Sequence, residues 1–245
     1  MCFLSAIFSV PWLRANFSAS DSSVNGYPII LDLTDRLCVV VGAGNVGCRK
    51  VRSLLAAGAR VRLVTTTTPS DVSLTDQVDL HIKAFEPSDL NNAVLAFTAT
   101  GAGRVDQEVC IAAKELGIPV NSASSPEDGD FRLPATLQRG ELLLAVATNG
   151  RSPALAKALC KRLAVDFGPE WADIVEILGR LRTRKLTGRR EKTYSHRVLD
   201  KLLEEGLAEH VAAGRTIEVN TLLTRILGET ISLEDLGLVL RDISS

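Results

Sequence analysis

Leu37-Cys38-Val39-Val40-Val41-Gly42-Ala43-Gly44-Asn45-Val46-Gly47 puts an apolar run directly ahead of three closely spaced glycines. Such a run is the pattern of a strand buried on both faces, as in a parallel sheet. A helix pattern follows at once, with Val46, Val51, Leu54 and Leu55 apolar and Arg49, Lys50 and Arg52 polar. Strand, glycine turn and helix in that order suit a dinucleotide-binding fingerprint. Gly42 permits the tight turn, Gly44 lets a pyrophosphate approach the backbone, and Gly47 lets helix and strand pack closely. Asn45 and Val46 start the helix, whose free N–H groups can hold phosphates. A plain glycine turn accounts for the spacing alone; the flanking strand and helix favour the nucleotide.

The elements around this stretch repeat the alternation. Strands are expected at 60–64, 79–84, 93–98, 118–120 and 141–146, with helical spacing at 105–116 and Gly117 as its stop. Strands separated by helices pair in parallel, which predicts an α/β, doubly wound parallel sheet. Ligands of such sheets bind beyond the carboxyl ends of the strands. Four loops qualify: 42–47, 65–70, 100–103 and 121–130. Ser152 and Pro153 then read as cap and first position of a helix, and the chain beyond reads as helical.

The chain has 245 residues, room for one large domain or two modest ones. A hydrophobic content of 46% and a charged content of 23% are those of a soluble globular protein. A net charge of -1 gives no global field toward nucleic acid or a membrane, and neither is expected as a partner. Cys2, Cys38, Cys48, Cys110 and Cys160 form no CxxC pair and lack metal-ligand spacing. Reduced core thiols at 38, 110 and 160 fit a cytoplasmic protein. The apolar stretch 1–12 is too short to span a bilayer, and its Arg14 comes after it rather than before. Residues 1–26 are read as a disordered extension, with a misassigned start or a weak anchor as alternatives.

The loops carry limited chemistry. After the second strand come Thr65, Thr66, Thr67 and Thr68, with no acid before Asp71. Their hydroxyls could hold a ribose or merely cap the turn. Spacing alone leaves NAD against NADP open. Glu127, Asp128 and Asp130 are candidates for acid–base work, and turn chemistry explains them equally well. His81, His196 and His210 are scattered and read as structural or exposed. No residues pair as metal ligands. The basic stretch 180–192 reads as a solvated face, with an anion site as the alternative.

Several spaced blocks resemble the precorrin-2 dehydrogenase family, which includes the N-terminal part of siroheme synthase. They are the glycine stretch with Arg49-Lys50, then Leu54-Leu55-Ala56-Ala57-Gly58-Ala59, Phe131-Arg132-Leu133-Pro134-Ala135 and Arg139-Gly140-Glu141-Leu142. The most distinctive is Ala145-Val146-Ala147-Thr148-Asn149-Gly150-Arg151-Ser152-Pro153-Ala154-Leu155-Ala156, and Phe167-Gly168-Pro169-Glu170 follows. The resemblance implies NAD-dependent oxidation of precorrin-2 to sirohydrochlorin, in some members joined to iron insertion. It also implies a Rossmann domain, a dimerisation region and a helical tail in a homodimer, here divided as 27–150 and 151–245. It places Gly42, Gly44, Asn45, Val46 and Gly47 on the pyrophosphate, Thr65, Thr66 and Thr67 near the ribose, and Thr100 and Gly101 near the cofactor. Ser124, Glu127, Asp128 and Asp130 would line the reactive side. Arg132, Arg139, Thr148, Asn149, Arg151 and Lys157 would meet a substrate rich in carboxylates, which arginine can grip bidentately. The family commonly has an aspartate where this chain has Ser124. That change speaks against iron insertion; a bifunctional dehydrogenase and sirohydrochlorin ferrochelatase is the alternative, and a non-catalytic nucleotide- or tetrapyrrole-binding protein is the reading of another class.

Overall fold

The computed structural model describes residues 26–125, 127–186 and 196–241. The expected extension at 1–26 lies outside these residues, Gly26 excepted. The chain divides into compact units at 1–31 and 32–245; in the first, residues 26–31 adopt no helix or strand.

In the second unit, β1 (Leu37–Val41), β2 (Arg60–Thr65), β3 (Asp79–Ile82), β4 (Leu95–Thr98) and β5 (Val120–Ser122) form one parallel sheet. Their order is β3-β2-β1-β4-β5, the doubly wound arrangement that reverses direction beside β1. Helix α1 (Asn45–Ala56) covers one face and α2 (Gly103–Glu115) the other. The alternation of strand side chains decides which residues meet which helix. Cys38 and Val40 of β1, with Leu95 and Phe97 of β4, pack with Val51 and Leu54 of α1. Val39, Val41 and Ala96 pack with Val109, Cys110 and Ala113 of α2. Both faces of β1 are buried, as its unbroken apolar run requires.

Two expectations shift. The fifth strand begins at Val120 rather than 118 and so takes in Asn121 and Ser122. Pro119 has no N–H to give a ladder, and its carbonyl accepts from Ala96 at 3.0 Å at the strand's entry. The segment expected as a sixth parallel strand does not join the sheet. β6 (Ala135–Arg139) and β7 (Leu142–Val146) instead form a separate antiparallel hairpin. Gly140, with φ +55, stands first in the two-residue link between Arg139 and Leu142, where a hairpin turn favours glycine.

Among the described residues, 153–227 are mainly helical, as the sequence implies, whereas 228–241 hold one short 3-10 turn, Glu234–Leu236, and no further helix. Ser152 caps α3 (Pro153–Asp166) by accepting from the Leu155 N–H at 3.2 Å. Helices α4 (Trp171–Leu186), α5 (His196–Glu204), α6 (Leu207–Ala212) and α7 (Thr216–Leu227) follow. Ile174, Ile177, Leu181, Leu202, Leu207 and Leu223 make a third apolar core there. Among the described residues no helix is long and apolar enough to cross a membrane.

Candidate functional site

Register aligns the strand ends that build the site. Val41 pairs with Val64 and Thr98, and Thr98 pairs with Ser122, so the following loops emerge along one edge. Gly42 has φ +101, and a side chain there would meet the Ala99 carbonyl oxygen at 2.5 Å. A side chain at Gly47 would stand 1.9 Å from the Gly42 carbonyl oxygen. Both glycines are demanded by the protein's own packing. Gly44 is different: it caps α1 in extended backbone, and a Cβ there would have nothing within 4 Å. Gly44, Asn45 and Val46 are exposed, and no side chain caps α1. The first N–H groups of a helix have no partner within it. An open, uncapped helix start with room against its backbone fits a dinucleotide pyrophosphate.

The second loop is tied to this cradle. Ser70 N–H donates to the Ala43 carbonyl at 2.9 Å. The Thr65 hydroxyl is used locally, donating to the Thr67 carbonyl at 3.0 Å and accepting from the Thr67 N–H at 3.3 Å. Thr66 and Thr67 are exposed beside it. Asp71 binds Arg52 at 2.6 Å and Ser73, so it is no free ribose acceptor.

The third and fourth loops meet on a carboxylate that sequence reasoning left unassigned. Asp106, in the first turn of α2, is only 2% exposed. It accepts from the Thr98 hydroxyl, from the Thr100 hydroxyl at 2.6 Å, from the Thr100 N–H at 3.1 Å and from the Ser124 hydroxyl at 2.7 Å. Burial alone would raise its pKa, but the hydrogen bonds from Thr100, Thr98 and Ser124 outweigh burial and hold the carboxyl below its usual range. An acid in a helix's first turn, just past a Thr-Gly-Ala-Gly loop, was the available signal. Gly101, with φ +73, is exposed at the tip of that loop.

On the α1 face, Lys50 reaches under the sheet. Its ammonium donates to Asn121 Oδ1 at 2.6 Å and lies 5.2 Å from the Phe97 ring centroid. Burial, helped by Arg49, pushes its pKa down to about 8. Asn121 in turn donates to the Phe131 carbonyl at 2.8 Å.

The remaining candidates separate. Ser124 stands at the carboxyl edge, whereas Asp130 accepts from the Val120 N–H at 3.0 Å, at the entry of β5. Asp130 therefore fixes backbone at the far end of the strand. Glu127 is exposed and Asp128 half-buried on the turn between them. Arg139 donates to the carbonyls of Phe167 at 3.0 Å and Gln138 at 3.1 Å, a lock between hairpin and helix rather than an open carboxylate grip. The Thr148 hydroxyl accepts from the Ser152 N–H at 3.1 Å and shapes the entry to α3. Asn149, at φ +51, and Arg151 are exposed, as is Lys157 on α3. Arg132 lies beside Gly150, so the segment after β5 and the entry to α3 come together. Cys38, Cys48, Cys110 and Cys160 are free and buried.

Residues 29–135 match a family model described as putative NAD(P)-binding. The siroheme synthase of Nitrosomonas europaea is 32% identical over 192 residues, covering 77% of this chain and 40% of that protein. That of Methylococcus capsulatus is 33% identical over 199 residues, covering 80% and 42%. The chain thus spans less than half the length of these relatives. A solved structure titled SirC, precorrin-2 dehydrogenase, superposes with a TM-score of 0.64 at 25% identity, over 82% of this chain and 98% of that one.

Proposed function

The chain belongs to the precorrin-2 dehydrogenase and siroheme synthase family, and we propose that it oxidises precorrin-2 to sirohydrochlorin with NAD as hydride acceptor. The observation that carries the reading is the cradle at Gly44: open space against an uncapped helix start, on the sheet edge where Thr100 and Ser124 converge. In this reading Gly42, Gly44, Asn45, Val46 and Gly47 hold the pyrophosphate. Thr66 and Thr67 flank the adenosine ribose, with Thr65 holding their loop in shape. Thr100 and Gly101 border the nicotinamide. Bound NAD supplies the hydride acceptor; the chain supplies position, which can account for much of a rate enhancement. Arg132, Arg151 and Lys157, with Asn149, offer exposed donors for substrate carboxylates.

The active form in this proposal is a homodimer in the cytoplasm. β6, β7 and α3 leave Leu143, Leu155 and Leu159 exposed at 41%, 50% and 41%. A two-stranded sheet is marginal alone and keeps two open edges. A second copy covering this face would satisfy both needs, and size-exclusion with light scattering reads it directly. The hairpin packs on α3, which supports counting it with the dimerising part rather than ending the cofactor domain at 150. Iron insertion is left out of the proposal, since Ser124 puts a hydroxyl where the resemblance implies a carboxylate.

Purified protein given precorrin-2 should form NADH from NAD, with NADP run in parallel. Folded protein that forms neither NADH nor NADPH would sink the reading.

A further inference from the structure

We propose that Asp106 is a positioning residue that makes Ser124 a hydrogen-bond acceptor toward the ligand, selecting an N–H group there; the inference rests on the dehydrogenase reading. A serine hydroxyl has one proton and two lone pairs. Ser124 spends its proton on Asp106 Oδ2 at 2.7 Å, and an ionised carboxylate can only accept. The other donors on Asp106, namely the Thr98 hydroxyl and the Thr100 hydroxyl and N–H, all converge on Oδ1 and hold the carboxylate in one orientation. Ser122 Oγ lies 3.4 Å from Ser124 Oγ and accepts from the Ser125 N–H at 3.1 Å. With the Ser124 proton committed, Ser122 can only donate across that gap. One Ser124 lone pair remains for a ligand.

That lone pair sits one hydrogen bond from a negative charge. It repels carboxylates and carbonyl oxygens and attracts N–H donors. A tetrapyrrole carries both kinds of group, carboxylates at its rim and pyrrole N–H groups at its centre. Ser124 therefore faces the central nitrogens, and the rim carboxylates turn toward the basic residues at 132, 151 and 157. The selection fixes which face and edge of the substrate lies against the hydride acceptor.

Asp106→Asn tests this with little disturbance. Asparagine keeps its oxygen toward the Thr98 and Thr100 donors and presents its NH2 to Ser124. Only the bond to Ser124 reverses, and the serine proton swings outward. The expected result on the full chain is a ~10- to 100-fold fall in kcat/KM for precorrin-2. NADH affinity should stay within about twofold, because the loop keeps its bonds to Oδ1, and the melting temperature should fall modestly, because those bonds become neutral ones. Ser124→Ala should lose a similar factor, and the double variant should lose no more than Ser124→Ala alone, since no hydroxyl is left to reverse. Ser124→Asp in the Asp106→Asn background restores an accept-only group and should recover most of the loss. Additive losses, failure of that rescue, or Asp106→Asn at the wild-type rate would overturn the inference while leaving the dehydrogenase reading in place. A wild-type protein that forms no reduced cofactor overturns the dehydrogenase reading, and this inference with it.

Discussion

Replacing Gly44 by alanine should separate folding from cofactor binding. The added methyl would meet no protein atom within 4 Å, and Gly44 already has φ -72, which alanine adopts freely. Alanine is the poorer N-cap, at a cost of about 1 kcal/mol. It also restricts the unfolded chain, which returns about 0.4–1 kcal/mol. The two nearly cancel, so the melting temperature should move by no more than about 3 °C. The methyl does occupy the space a pyrophosphate would use to reach the helix N–H groups. Losing one hydrogen bond to a charged group costs about 1.5–3 kcal/mol, or roughly 10- to 100-fold in dissociation constant. Titration calorimetry with NADH, beside thermal melting, measures both. Gly47→Ala is the contrasting control. Its methyl would lie 1.9 Å from the Gly42 carbonyl oxygen, against an ordinary contact of 3.4 Å or more, and the neighbour is backbone. That variant should lose about 1–3 kcal/mol of stability or fail to fold. Unchanged NADH affinity in Gly44→Ala would refute the phosphate cradle.

Three further outcomes follow from the geometry. Asp130→Ala leaves the Val120 N–H without its acceptor and should cost about 1–3 kcal/mol in chemical denaturation, with residual turnover tracking the folded fraction. Lys50 has its folded pKa depressed from 10.5 to about 8, so above about pH 8 the unfolded state binds more protons and stability rises with pH. The burial cost of its charge is present in full below about pH 8 and fades toward pH 10.5, so the stability of wild type relative to Lys50→Met should improve across that window in denaturation curves. Cys38, pushed up to about 11 by burial, should resist thiol reagents at neutral pH until the protein is unfolded.

The elements legible in the sequence were those whose signals are local. Five apolar residues before Gly42 require burial on both faces, and that fixes a central parallel strand before any partner is known. Gly47 is read correctly for the same reason, since its close approach is to the Gly42 carbonyl, whereas the close approach at Gly42 is to Ala99, which only the sheet brings near. The strand expected at 141–146 pairs with 135–139 in a separate hairpin, because an apolar run identifies a strand and says nothing about which sheet it joins. Its turn, Gly140 between Arg139 and Leu142, was visible and carried the answer. Arg139 and Asp130 look functional by charge, yet each charge is used on backbone groups that only the fold brings near.

The least legible feature was the one that bears most on chemistry. Read along the chain, Ser124 stands where the resemblance implies a carboxylate. Folded, it donates to Asp106, eighteen positions away and delivered by the start of α2. Nothing in either local sequence signals that pairing, because α2 reaches β5 only through the parallel crossover from β4. A negative charge thus lies one hydroxyl behind position 124. A carboxylate at 124 would act on a ligand directly and accept with two oxygens; the Ser124–Asp106 pair offers one oriented lone pair with the charge behind it. Thr98 and Thr100 are held by the same carboxylate, so in the proposed site the cofactor loop and Ser124 would share one anchor. The expected consequence is narrow: substitutions at 106 that keep Oδ1 preserve cofactor binding, and those that keep the acceptor at 124 preserve turnover.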